Sequence, residues 1–387
     1  MGDDTFIPYG AQWVDEADIE AMAEAMRSGW LTTGPRVADF EEGLSGLCQT
    51  EHAVAVNSGT AALHAAYFAA GLGPGDEIIT SPLTFAATAN AALYLGADVR
   101  LVDVREDTGN LDPARVEAAI TERTKLIVPV DYAGHPADYD AFTDLAQRRG
   151  LKVVADQAHS LGAAYRGVPV QALPDLAAVS LHPVKPITTG EGGAVLTKDE
   201  ELATRCRDFR SHGLVRDRDR LSVDHGPWYY EIQDQGFNYR LTDIQCALGS
   251  SQLQKLPAFI SRRQEIARQY DAALADVQAL RTPTWHDHVS HGWHLYVLRV
   301  TGDPDLRRPL FERMRAIGLG VQVHYVPIHH HPHFQGKVLL GDRLSVADDF
   351  YARCISMPLF PRMTDEQVRS VVERTRQALG DVLGSQP

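Results

Sequence analysis

The sequence predicts an α/β protein, a large domain on a mostly parallel mixed sheet followed by a smaller α+β domain. Three observations carry this reading. Between residues 53 and 155 short apolar runs alternate with amphipathic helical patterns, as in strands joined by crossover helices. From Asp243 onward the pattern changes to long helical stretches around one clear strand, 293–300. A 44% hydrophobic composition over 387 residues is ample for two cored units. The division expected is a large domain at 31–243 and a small one at 244–387.

In chain order, Asp15 caps a helix over 15–28 whose apolar face is Ile19, Met22, Ala23 and Met26. Gly29 stops it, 30–34 turns, and a short helix covers 36–48. The strand Ala53 to Val56 runs into Ser58-Gly59-Thr60, and a helix continues over 61–70. A helix start of this kind offers free N–H groups to an anion; Ser58 or Thr60 can equally be an ordinary N-cap. After a turn at 73–76 and a strand at 77–81, a helix opens at 84–90. Phe85 is the aromatic near its start, a ring that on its own reads as core packing. Strands at 99–103 and 125–130 alternate with helices at 113–121 and 138–149.

The strand 151–155 ends in Asp156-Gln157-Ala158-His159. In open α/β sheets ligands gather at such strand ends. A carboxylate there is costly unless it meets a cation; capping the next helix or pairing with an arginine would also satisfy it. His159 alone reads as structural.

The run Leu176 to Leu181 is a buried strand, broken by a turn that holds Pro183, Lys185 and Pro186. Gly190, Gly192 and Gly193 then lead into a second apolar run, 194–196. A lysine held between two strands in apolar surroundings loses its proton more readily and can attack a carbonyl. A surface-turn lysine is the plain alternative. A helix at 199–210 follows, then a mixed-sign, solvated loop at 216–220 and an aromatic-rich stretch at 226–231. Beyond these, helices are expected at 243–255, from Pro257 to about 275, and at 305–317, 345–355 and 364–379, with a short strand at 321–324.

A net charge of −14 argues against nucleic-acid binding, which needs a basic face. No run of about 18 apolar residues occurs, so no membrane span is expected. The acidic Met1-Gly-Asp-Asp-Thr5 start carries no secretory signal pattern. Cys48, Cys206, Cys246 and Cys354 are scattered, which fits a reducing cytoplasm. The run His329-His-His-Pro-His333 could suggest zinc. Adjacent residues rarely converge on one tetrahedral ion, however, so no metal is expected.

The segment Ser180-Leu-His-Pro-Val-Lys185-Pro-Ile-Thr-Thr-Gly-Glu-Gly-Gly193 resembles the Schiff-base segment of the DegT/DnrJ/EryC1/StrS sugar aminotransferases. Asn57-Ser-Gly-Thr-Ala-Ala-Leu63, Asp156 to His159, and Gly236-Phe-Asn-Tyr-Arg-Leu-Thr-Asp-Ile-Gln245 are similar to three further signatures of that family, in the same order. The resemblance implies the pyridoxal-phosphate-dependent transferase fold of aspartate aminotransferase (fold type I), with segment 1–30 folding back onto the small domain. It implies that Lys185 is the catalytic residue and carries pyridoxal 5'-phosphate as a Schiff base. It also implies phosphate contacts from Gly59, Thr60 and Ala61, a ring stacked by Phe85, a ring nitrogen paired with Asp156, and further cofactor contacts from His159 and Ser180. Asn238 would reach the phosphate from the neighbouring subunit of a homodimer with shared active sites. Arg240 could add positive charge there, with a structural salt bridge the equal alternative.

Tyr325-Val-Pro-Ile-His329 keeps a family pattern, which makes Tyr325, His329 and Arg240 candidate substrate contacts and places the extra histidines at the rim. Gln157 departs from the family pattern and should point away from the ring. The implied reaction moves an amino group from L-glutamate to a nucleotide-linked 4-keto-6-deoxy sugar. The UDP-sugar branch of the family, in pseudaminic acid biosynthesis, is nearest; a dTDP-sugar enzyme would look much the same. A sugar dehydrase relative would carry histidine in place of Lys185.

Overall fold

An eight-stranded sheet centres the larger unit in this computed structural model, which describes residues 6–384. The N-terminal pentapeptide, on which the secretory-signal reading rests, lies outside the described residues. The chain opens with helices α1 (Glu16–Arg27) and α2 (Pro35–Cys48). Strand β1 (His52–Val56) follows, then α3 (Gly59–Ala69), β2 (Glu77–Thr80), α4 (Ala86–Tyr94), β3 (Asp98–Leu101) and α5 (Pro113–Ala119). Next come β4 (Thr124–Val128), α6 (Tyr139–Arg149), β5 (Lys152–Asp156), β6 (Leu176–Ser180), β7 (Gly193–Thr197) and α7 (Glu200–Arg210). The long α8 (Asp243–Leu274) precedes β8 (Leu280–Arg281), β9 (Tyr296–Val300), α9 (Arg307–Ala316), β10 (Val338–Leu340), α10 (Ser345–Arg353), β11 (Cys354–Met357) and α11 (Asp365–Gly384).

The sheet order is β1-β7-β6-β5-β4-β2-β3-β10. All neighbours from β6 to β10 are parallel, and β7 runs antiparallel to both β1 and β6. Helices cover both faces, so the central strands are apolar throughout rather than alternating, as in β6 and β7, where every residue is buried. On one face α3 packs through Ala62, Ala66 and Tyr67, with Cys206 of α7, against Val54, Val154 and Ala178. The small residues of α3 let the helix lie close to the sheet. On the other face Phe40 and Leu44 of α2 meet Ala53 and Val179, while Phe142 of α6 meets Ile127 and Val153. A separate core, with Tyr270, Leu298, Leu310, Ile355 and Val371, gathers the three-stranded sheet β8-β9-β11 with α9 and α11.

Four expectations change on contact with the structure. Helix α8 runs unbroken through Pro257, where two helices were expected. A proline costs a helix interior about 3 kcal/mol. Here Leu253, Leu256, Phe259 and Ile260 on either side of it are all buried in one cluster, and each such side chain contributes about 1.5–3 kcal/mol. Burial on both sides of the proline therefore wins. The first half of α8 packs on the large sheet and the second half, from Ile266, on the smaller core, so this helix joins the two.

Helix α1 does lie on α8, but not by its apolar face. Its buried residues are Asp18 and Ala25, whereas Ile19 and Met26 are 52% and 61% exposed. The orientation follows from Asp18, which accepts from Ser251 Oγ at 2.6 Å and Gln252 Nε2 at 2.7 Å and pairs with Lys255 at 2.8 Å. Further upstream Ile7 bridges Leu319 and belongs to the smaller core. The strand expected at 321–324 is reduced to a single bridge, Gln322 to Ser356, and the unforeseen β10 adds residues 338–340 to the edge of the large sheet beside β3.

Candidate active site

The C-terminal ends of β1, β2, β5 and β6 open onto one cavity of about 350 Å³. Where β1 ends, Ser58 caps α3 by accepting from Ala61 N at 3.0 Å, which leaves the half-buried Gly59 and Thr60 lining the cavity at the start of the helix. This turn is packed too closely for side chains. A Cβ on Gly59 would lie 2.9 Å from Ser180 Cβ, and one on Gly193 would lie 2.5 Å from Ser58 O. Glycine at both positions is what lets three strands bring their loops together here. Gly193 faces Val56 on one side and Ser180 on the other in the β1-β7-β6 ladder.

Asp156, at the last position of β5, is 6% exposed. Its Oδ1 accepts from Ala158 N at 3.1 Å and its Oδ2 from Thr88 Oγ1 at 2.6 Å. Thr88 gives its proton to Asp156, so the 2.6 Å contact between Thr84 and Thr88 hydroxyls must be donated by Thr84. Burial still raises the Asp156 pKa, against the lowering by Thr88, Ala158 and Lys185. Lys185 follows β6 in the turn where its own N–H donates to His182 O at 2.9 Å. Desolvation brings its ammonium pKa down to about 8, although the Asp156 charge pulls the other way. An amine in this position is neutral far more often than a solvated lysine.

His159 Nε2 lies 2.9 Å from Tyr325 Oη, and the two rings stack at 5.9 Å. Its Nδ1 is buried without a hydrogen-bond partner among the described residues, and burial holds its pKa well below the ordinary imidazole value. Phe85 is 62% exposed, with its ring centroid 6.2 Å from that of Tyr325. These features fit pyridoxal phosphate. An unhindered helix start suits its phosphate, an uncovered aromatic suits its ring, a buried carboxylate suits its pyridinium, and an orphaned imidazole nitrogen awaits a polar group.

Of the residues singled out by sequence, Gly59, Thr60, Phe85, Asp156, His159, Ser180, Lys185 and Tyr325 line this cavity. Ala61 is buried just behind it, with its N–H committed to Ser58. Gln157 turns away as expected, donating from Nε2 to Val170 O at 2.9 Å. Three residues are not brought to the cavity of their own chain. Arg240 lines a separate recess with Glu41 and Arg210. His329 points to Asp348, 3.1 Å away. Asn238 is exposed, its carbonyl accepting from Asn57 Nδ2 at 3.4 Å. Arg240 and His329 therefore lie outside this cavity of their own chain. For His329 the reason is a competing carboxylate, for Arg240 its place on the far side of β1, where it bridges Val56.

The sequence reading missed Tyr9, Thr84, His294 and His324, which also line the cavity. Tyr9 and His324 pair their rings at 5.6 Å, and the His294 ring lies 4.4 Å from that of His159. Burial pushes the His324 pKa down to about 4. The threonine pair was readable only in part, since Thr88 lies in the first turn of α4 but Thr84 precedes its N-cap Phe85. No local signal marks the others.

Residues 12–376 match the DegT/DnrJ/EryC1/StrS aminotransferase family. The chain belongs to that family. Its members depend on pyridoxal phosphate, and they share the α/β fold described above. The chain is 40% identical over 379 residues, 96% of each protein, to the spore coat polysaccharide biosynthesis protein SpsC of Bacillus subtilis. It is 38% identical to the UDP-4-amino-4,6-dideoxy-N-acetyl-beta-L-altrosamine transaminase of Campylobacter jejuni, covering 94% of this chain and 95% of that one. Among solved structures it resembles Helicobacter pylori PseC, an aminotransferase of pseudaminic acid biosynthesis, with a TM-score of 0.90 and 33% identity over 97% of this chain and all of that one. Membership in the DegT/DnrJ/EryC1/StrS family accounts for why three of the four sequence signatures fall in one cavity. No described helix is long and apolar enough to cross a membrane.

Proposed function

We propose that this aminotransferase moves the amino group of L-glutamate onto C4 of a UDP-linked 4-keto-6-deoxy sugar. The observation that carries the proposal is the placement of Lys185, with its pKa brought down to about 8, in one cavity with the buried carboxylate of Asp156. The substrate class is supported by the C. jejuni relative, whose name specifies a UDP-amino sugar, and by the PseC likeness. Glutamate leaves as its keto acid and the sugar ketone becomes an amine, so the two halves balance without an outside oxidant or reductant.

When bound, pyridoxal phosphate supplies a carbonyl carbon for amines and a protonated ring that accepts electrons. The residues of the chain do the rest. Lys185 in its neutral form attacks a carbonyl, and once released it carries a proton off a substrate carbon and returns it, as general base and then acid. Asp156 holds negative charge where a ring nitrogen would lie, with Thr84 and Thr88 keeping the carboxylate oriented. The Ser58–Thr60 turn and Ser180 bind phosphate oxygens, and Phe85 covers a ring face. His159, backed by Tyr325, offers a hydrogen bond to a ring oxygen.

Asn238 completes the phosphate site of a second subunit in a homodimer. The exposed apolar residues Ile19, Met26, Trp30 and Leu31 support such an assembly. Four unpaired, buried cysteines and a nucleotide-sugar substrate fit a cytoplasmic enzyme.

The test is a half-reaction. Protein loaded with pyridoxal phosphate and glutamate should be converted to the aminated form, and a UDP-4-keto-6-deoxy sugar should reverse it. Reversal by pyruvate or oxaloacetate at a comparable rate would make the chain an ordinary amino-acid aminotransferase.

A further inference from the structure

The three-residue helical turn Ile328–His330 does what adjacent histidines seldom do: it aims both imidazoles at one carboxylate. His329 Nε2 lies 3.1 Å and His330 Nε2 3.0 Å from the same Oδ1 of Asp348, which projects from α10. The three ligand atoms all fall within 4.8 Å of one another. With zinc–nitrogen and zinc–oxygen bonds of about 2.0–2.2 Å, the edge of a tetrahedral site is roughly 3.3 Å. The two nitrogen–oxygen separations are thus close to those of a metal's coordination shell. His330 and Asp348 have side chains 38% and 45% exposed, so an ion can enter and water can fill the remaining positions.

From this geometry we infer that His329, His330 and Asp348 bind one divalent transition-metal ion of the zinc class. Two imidazoles and one carboxylate suit such ions better than calcium or magnesium, which take oxygen ligands. The ion ties the turn that follows Tyr325 to α10. That turn is already anchored to the loop before Phe85, since Ile328 N donates to Pro82 O at 3.0 Å. The ion therefore acts as a clamp behind two walls of the cavity. It takes no part in the reaction, and the proposal stands or falls apart from the substrate assignment.

The experiment titrates chelator-treated holoenzyme with Zn²⁺ in competition with a chromophoric chelator. About one equivalent should bind per chain. His330→Ala and Asp348→Asn should each weaken that binding at least tenfold, whereas His333→Ala, in the same segment but outside the cluster, should leave it unchanged. A thermal melt with and without Zn²⁺ gives a second readout. The wild type should melt higher with the ion, and Asp348→Asn should lose that shift. The absorbance of bound pyridoxal phosphate should be the same in all variants, which confirms folding. Absence of a one-equivalent phase, or binding that survives in both His330→Ala and Asp348→Asn, overturns the inference and reduces the cluster to two histidines sharing a carboxylate.

Discussion

Thr88 donates its hydroxyl proton to Asp156 Oδ2 at 2.6 Å, so the carboxylate at the end of β5 has one oxygen committed before any ligand arrives. Thr84 in turn donates to Thr88. Thr84, just before α4, and Thr88, in its first turn, therefore fix the plane of a carboxylate at the end of β5, and the Thr88 bond lowers its pKa against the burial that raises it.

Asp156→Asn keeps the shape and removes the charge. Turnover should fall on the order of a hundredfold or more, as for loss of a preorganised electrostatic contact, while pyridoxal phosphate content falls far less. Thr88→Val should give a smaller loss in the same direction, because it removes a bond that favours the ionised form. Turnover in Asp156→Asn equal to wild type would demote Asp156 to a structural cap.

Lys185→Ala should still take up pyridoxal phosphate yet yield no borohydride-fixed adduct. Its transamination should drop by about a thousandfold or more, the range for loss of a positioned acid–base group. Peptide mapping of the wild-type adduct checks the site directly. An adduct on Lys152 or Lys198 would contradict the assignment.

The depressed Lys185 pKa has a pH signature. The neutral amine is the reactive form, so the rate at which the cofactor-free protein captures pyridoxal phosphate should rise with pH and level off above about 8. Below that it should fall roughly tenfold per pH unit. Asp156 raises the Lys185 pKa, so Asp156→Asn should move the inflection to lower pH. Stopped-flow absorbance between pH 6 and 10 reads both, and an inflection near the ordinary lysine value of 10.5 would contradict the desolvated site.

Much of this site was legible because its parts are local. A strand that runs into Ser58-Gly59-Thr60, a carboxylate ending β5 and a lysine between β6 and β7 are each visible within a dozen residues. The α/β alternation then brings these strand ends together. What was not legible depends on convergence across the chain. Tyr9, His294 and His324 come from the first and last thirds of the sequence, and nothing near them indicates the cavity. The exposed Ile19 and Met26 show the same limit in reverse. Periodicity marks an apolar face but not what covers it, and in this helix the polar Asp18 took the inside because Ser251, Gln252 and Lys255 were there to satisfy it. His329 was drawn from the cavity by Asp348, 19 residues further on.

Gly193→Ala tests the packing behind the proposed phosphate turn, Ser58–Thr60. Its Cβ would meet Ser58 O at 2.5 Å and Gly59 N at 2.8 Å, backbone atoms that cannot rotate away. The variant should lose about 1–3 kcal/mol of stability, and cofactor should dissociate more readily because the turn must shift. Urea unfolding and a pyridoxal phosphate titration measure the two effects. Wild-type values for both would show that the turn has room the structure does not grant it.

The last prediction concerns the proposed homodimer. Asn238 lies outside the cavity of its own chain, its backbone carbonyl accepts from Asn57, and the residue is exposed. If its side-chain amide serves the partner's site, two different defects should complement each other. Let one subunit carry Lys185→Ala and the other Asn238→Asp, which sets a repelling charge at the phosphate. Each homodimer should be impaired. In the mixed dimer, the site on the Lys185→Ala subunit lacks the lysine and also meets the defective position 238. The site on the Asn238→Asp subunit keeps its own Lys185 and receives an intact Asn238 across the interface. One site of two is whole, so activity should return to about half that of wild type per dimer. If Asn238 instead acted within its own chain, neither site would be whole and no activity would return. Co-expression with two affinity tags isolates the mixed dimer, and failure to recover activity in it would show that each subunit builds its phosphate site alone.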